Sequence, residues 1–112
     1  MEVKAVYRNA RISAKKMRDV AAAVQGMPVS QAIDVLSYSP KKGAFIINKT
    51  IKAAVANAEN NNGLDADELV LKSVRVDEGP TARRTMPRAR GSANVIRKRT
   101  AHITVIVANP ED

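Results

Sequence analysis

The sequence predicts an α+β fold, in which a small antiparallel sheet is packed with three helices and carries a long protruding β-hairpin. Three observations lead there. Apolar residues recur at helical spacing in three stretches between Ser13 and Asn62. The period falls to two after Leu69 and again from Ala101. The segment between those alternating stretches, Gly79 to Asn94, is rich in Arg and small residues and has almost nothing to bury. At 112 residues the chain has the size of one domain. Residues 1–112 are therefore expected to form a single domain, with 79–94 as an extended arm within it.

Val3 to Arg8 reads as a short strand with Val3, Ala5 and Tyr7 on one face. Ser13 is placed to cap a first helix, in which Met17, Val20, Ala21 and Val24 line up. Gly26 and Pro28 end that helix. Val29, Ala32, Ile33 and Leu36 repeat at i, i+3, i+4, i+7 and predict a second. Ser39-Pro40 offers a cap and a first-turn proline for a third helix running to about Glu59. Its apolar stripe is Ala44, Ile47, Ile51, Ala54, Val55 and Ala58, with Lys42, Lys49 and Lys52 on a polar face. The Asn60-Asn61-Asn62-Gly63 cluster is expected to stop it.

In the first late strand, Val70, Val74 and Val76 share a face against Ser73, Arg75 and Asp77. In the second, Ala101, Ile103, Val105 and Val107 alternate with Thr100, His102 and Thr104. The expected core is Val20, Val24, Ile33, Leu36, Ile47, Ile51, Val74, Ile103 and Val105.

A structureless loop as long as 79–94 is uncommon in a compact domain, so the ladder is expected to continue into it. Met86-Pro87-Arg88-Ala89-Arg90-Gly91 suits the turn. Roughly nine residues per arm would project about 30 Å. A lone two-stranded ribbon is marginal in water, and one lined by arginine calls for a polyanion to hold it.

Charge points the same way. Lys and Arg number 19 against 11 acids, for a net charge of +8 and a pI near 10.2. The charge is also segregated. Residues 3–18 hold Lys4, Arg8, Arg11, Lys15, Lys16 and Arg18 with no acid, and residues 79–110 hold Arg83, Arg84, Arg88, Arg90, Arg97, Lys98 and Arg99 with none. An ordinary solvated surface mixes both signs. These residues, with Lys42, are the expected phosphate contacts. Arginine outnumbers lysine in the ribbon, and its planar guanidinium bridges phosphates and stacks on bases. Aromatic residues make up only 3%, which argues against a reader of single strands by base stacking.

Other chemistry has little to work with. There is no cysteine and one histidine, His102, so thiol catalysis and the common zinc sites are excluded, and no cofactor or metal is expected. His102 is read as structural or RNA-facing. Asp65, Asp67 and Glu68 read as a solvated turn before a strand. No glycine-rich phosphate loop with its lysine is present, and enzyme function is not expected. No apolar run reaches the ~20 residues of a membrane span, and the first residues lack a signal-peptide core. A soluble intracellular protein is expected. Two other readings compete. One is an architectural DNA-binding protein with a basic β-arm, in which Met86-Pro87 would act as a wedge. The other is a peripheral membrane module, which would need bulkier residues than these Ala/Val/Ile stripes. Cell fractionation discriminates all three.

Two stretches carry a family likeness. The first is Arg8-x-Ala10-Arg11-x-Ser13-x-x-Lys16-x-Arg18 with Val20, followed by Gly26, Ala32 and Leu36. The second is Val76-Asp77-Glu78-Gly79-Pro80, Arg83, Met86-Pro87, Arg88-Ala89-x-Gly91-Ser92 and, nine residues on, His102-Ile103-x-Val105-x-Val107. Over essentially its whole length the chain resembles the universal family of large-subunit ribosomal protein twenty-two. The resemblance implies a compact α+β body near the exit of the nascent-peptide tunnel and a hairpin that lines the tunnel wall. The implied tip is Arg84, Thr85, Met86, Pro87, Arg88, Ala89, Arg90 and Gly91. Implied partners are large-subunit ribosomal RNA, neighbouring large-subunit proteins and the passing nascent peptide. The protein would act as a monomer within the cytoplasmic ribosome and assist its assembly.

Overall fold

The computed structural model describes residues 2–87 and 93–109, and for 82–87 and 93–97 only the backbone. Strand β1 (Glu2–Ala10) leads into helices α1 (Ala14–Val24), α2 (Val29–Ser37) and α3 (Lys42–Asn62). A 3-10 turn at Ala66–Glu68 precedes β2 (Val70–Glu78), which is followed by β3 (Ala82–Pro87), β4 (Ala93–Lys98) and β5 (Ala101–Ala108). The main sheet is antiparallel with order β1-β5-β2. Helices α1 and α3 pack on one of its faces, and α2 lies on α3. This is the expected α+β class.

Strand β5 is the centre of the core. Ala101, Ile103, Val105 and Val107 are fully buried, as their alternation requires. The flanking strands each break the alternation once. In β2 the register shifts between Leu71 and Ser73. The extra residue, Lys72, reverses the parity. Leu71 therefore points inward together with Val74 and Val76, while Val70 is only half-buried. The expected Val70–Val74–Val76 face is corrected accordingly. In β1 the register shifts between Tyr7 and Ala10. There Asn9 adopts a left-handed φ of 59°, a conformation asparagine tolerates better than most residues. Its N–H donates to Nδ1 of His102 at 3.1 Å. His102 thus closes the bulge that turns Ala10 into the core.

Helix α1 begins as expected, with the Ser13 Oγ accepting the Lys16 N–H at 3.4 Å. After it, Gly26 takes a φ of 89°, which a residue with a Cβ rarely adopts. The linker then pairs with the start of β2: the Gly26 and Val29 N–H groups donate to the Leu71 and Leu69 carbonyls, and the Leu71 N–H to Met27. Part of the β2 edge is covered in this way. In α2, Val29, Ala32 and Leu36 are buried, but Ile33 is only partly so. This helix packs chiefly against α3 rather than the sheet, which leaves Ile33 at the flank of its stripe.

Helix α3 differs at both ends from its expected span. It starts at Lys42 rather than at Pro40, because Lys41 is still extended, with ψ 138°. Ser39 Oγ instead accepts the Lys41 N–H at 3.4 Å. At the other end the asparagines are helical to Asn62, and Gly63 in the left-handed region, φ 64°, closes the helix. Its buried face exceeds the expected stripe, with Gly43, Ile46, Asn48 and Thr50 buried and Val55 only partly. Contacts with β1, β5, α1 and α2 explain that width. Where α1 crosses, a Cβ on Gly43 would stand 2.9 Å from the Met17 Sδ. No helix among the described residues is long and apolar enough to cross a membrane.

The arm is a second antiparallel ladder, β3 with β4, in register from Ala82↔Lys98 to Pro87↔Ala93. Met86 and Pro87 are still paired, and the second strand continues past Asn94 to Lys98. The expected turn residues Arg88, Ala89, Arg90 and Gly91 lie outside the described residues. At its base the Gly79 N–H donates to the Thr100 carbonyl at 3.0 Å, and the Thr100 Oγ1 to the Pro80 carbonyl at 2.6 Å. A Cβ on Gly79 would stand 2.6 Å from that Oγ1 and 3.1 Å from His102 Cε1. Gly79→Ala is expected to displace Thr100 and cost about 1–3 kcal/mol, read as a lowered midpoint of chemical denaturation; an unchanged midpoint would show that the junction yields freely.

Candidate nucleic-acid interface

The end of β1, the starts of α1 and α3, and the β4–β5 junction meet at the base of the arm. The groove between them has a volume of about 1110 Å³. Six cationic residues, Arg11, Lys16, Lys41, Lys42, Lys98 and Arg99, line it against a single acid, Asp19. All six are exposed. A second groove, sharing Ser13, Arg99 and Thr100, adds Lys15 and Arg18 beside Glu78. The two form one basic band around the root of the ribbon.

The fold produces this band for local reasons. Ser13 starts α1 just after β1 leaves the sheet, so Arg11 and Lys16 fall on either side of the cap. Neither α1 nor α3 has an acid in its first turn. The positive ends of both helix dipoles therefore add to the lysines instead of being answered within the chain. Two of the cations are held in place. The Lys42 Nζ donates to the Arg11 carbonyl at 2.9 Å, bridging the starts of α1 and α3. The Arg18 Nη2 donates to the Val76 carbonyl at 3.2 Å, tying α1 to β2.

The expected phosphate contacts divide into groups. Arg11, Lys15, Lys16, Arg18, Lys42, Lys98 and Arg99 come together in the band. Lys4 and Arg8 do not join it. They lie on the outer face of the sheet beside Arg75, Asp77 and His102. Charge there is partly answered within the chain: Arg75 pairs with Asp77 at 3.1 Å, and Lys72 pairs with Glu2. The Glu2 carboxyl is held below its usual range by the Lys72 hydrogen bond first and the Lys72 charge second. Arg83, Arg84 and Arg97 lie on the paired strands of the arm, with position 83 opposite position 97. Arg88 and Arg90 fall outside the described residues. Lys41 was missed. Its signal was its place beside Lys42, directly after the Ser39-Pro40 turn, where two adjacent cations flank a helix start.

Residues 5–108 match the family model described as ribosomal protein L22p/L17e. The large ribosomal subunit protein uL22 of Akkermansia muciniphila is 74% identical over 111 residues, covering 99% of each chain. That of Methylacidiphilum infernorum is 54% identical over 112 residues, covering all of this chain and 98% of the relative. With a family match across nearly the whole sequence and relatives aligned end to end, the chain belongs to the ribosomal protein L22p/L17e family.

Proposed function

We propose that this protein is a structural constituent of the large ribosomal subunit that binds its RNA, assists its assembly and lines the nascent-peptide exit tunnel with its arm. The observation that carries the RNA-binding role is the basic groove, with six cations and one acid where two helices begin. Phosphates brought there release counterions and relieve the repulsion among the lysines and arginines. The arm supports the same reading. Its register puts position 83 opposite position 97, both arginine. Small residues, Ala89, Gly91, Ser92 and Ala93, suit a narrow passage.

Residues 1–112 act as one RNA-binding unit and 79–94 form the core of the arm. The segment Arg84 to Gly91 faces the nascent peptide, and the body touches neighbouring large-subunit proteins. The protein works as a monomer in the cytoplasmic ribosome, without cofactor and without catalysis. The test is a deletion within Arg84 to Gly91, expressed beside the parent protein. The shortened chain is expected to keep its body fold and its share in large subunits purified in high salt, since the groove is untouched. The binding of small molecules that occupy the tunnel is expected to change. A deletion that unfolds the body, or that excludes the protein from subunits, would overturn this division of labour.

A further inference from the structure

Residues of α2 and α3, and of the turn between them, form a small groove. It is lined by Ser37, Ser39, Phe45, Asn48, Lys49 and Lys52. Its features do not belong to a protein interior. Phe45 is 72% exposed, and Tyr38, between the two lining serines, is 90% exposed. These are two of the three aromatic residues in the chain. Two lysines and no acid line the groove, and the Lys49 ammonium is stationed 5.9 Å from the ring centroid of Tyr7. Asn48, nine-tenths buried, gives its Nδ2 hydrogen to Ser37 Oγ at 3.3 Å and leaves Oδ1 without a hydrogen-bond partner among the described residues.

We propose that this groove holds one unpaired nucleotide of the bound RNA, its base stacked on Phe45 and its phosphate against Lys49 and Lys52. The inference rests on the RNA-binding reading above and adds a second, chemically different contact to it. The ring and the lysines each have a counterpart in such a ligand: an exposed ring stacks on a base face, and the lysines answer the phosphate. A volume of about 380 Å³ lies at the small end of ligand sites, a size for one nucleotide and not for a protein segment. The cationic, acid-free lining favours a polyanion over an apolar protein surface.

The test uses purified large subunits in which p-benzoylphenylalanine replaces Phe45, and separately Lys41 in the basic band. Irradiation at position 45 is expected to give an adduct at a single unpaired nucleotide. Replacing Lys49 and Lys52 together by alanine is expected to lower its yield about fivefold or more. An adduct to a protein, an adduct to base-paired RNA, or no adduct at position 45 while position 41 still joins RNA would overturn the stacking site alone. Failure at both positions would overturn the RNA-binding reading as well.

Discussion

Ile51→Ala is expected to destabilise the protein by about 2–5 kcal/mol, the range for truncation of a fully buried isoleucine. Ile51 is fully buried near the middle of α3, the helix that touches β1, β5, α1 and α2. An element packed on several sides cannot close over a cavity by shifting toward one neighbour, so most of the lost volume persists. For a domain of this size the change corresponds to a fall in Tm of roughly 10–20 °C. Val55→Ala, on the same helix but only partly buried, should cost clearly less, because water already reaches its site. Thermal unfolding followed by circular dichroism checks both. An Ile51→Ala protein with the parent Tm would mean that α3 does not anchor the core.

Replacing Arg11, Lys16 and Lys41 together by glutamine is expected to weaken binding of the isolated protein to large-subunit RNA roughly a hundredfold near physiological salt. Each lost phosphate contact removes a counterion-release term, so the slope of log affinity against log salt should also shrink by about two to three. No side-chain hydrogen bond within the described residues uses these three cationic groups, unlike Arg18 and Lys42, which hold α1 and α3 to their neighbours. The fold should therefore survive, and the loss should be electrostatic. Arg75→Gln, which removes a cation already paired with Asp77, is the control and should change affinity little. Filter binding across a salt series measures both quantities. If the triple variant keeps the parent slope, the band does not contact phosphate.

Much of this was legible in the residue pattern, and the failures have physical causes. The period of the apolar residues placed all three helices, because one face of each is buried against a larger body. It also placed every inward residue of β5, a central strand with no interruption. The alternation rule failed in β2 because one extra residue, Lys72, reverses parity, and a bulge leaves no trace in composition. The end of α3 was set too early because asparagine is a weak helix former only in isolation, and the left-handed Gly63 was the true stop. Ile33 was expected in the core because the pattern gives a face but not the size of what covers it.

For the candidate site, the sequence by itself determined the charge: two acid-free basic segments on a chain with no cysteine and one histidine. Local chemistry suffices there, since net charge does not depend on how the chain folds. Only the tertiary structure decided which cations act together. Lys4 and Arg8 belong to the same basic segment as Arg11 and Lys16, yet the strand carries them to the outer face of the sheet, while the Ser13 cap turns the others into the groove. Lys41 and Lys42 join from α3, and Lys98 and Arg99 from the base of the arm, across large sequence separations. That convergence is set by antiparallel pairing of β1 and β2 with β5 and by the close crossing of α1 and α3 at Gly43. Those contacts are long-range, and no spacing within a single segment encodes them.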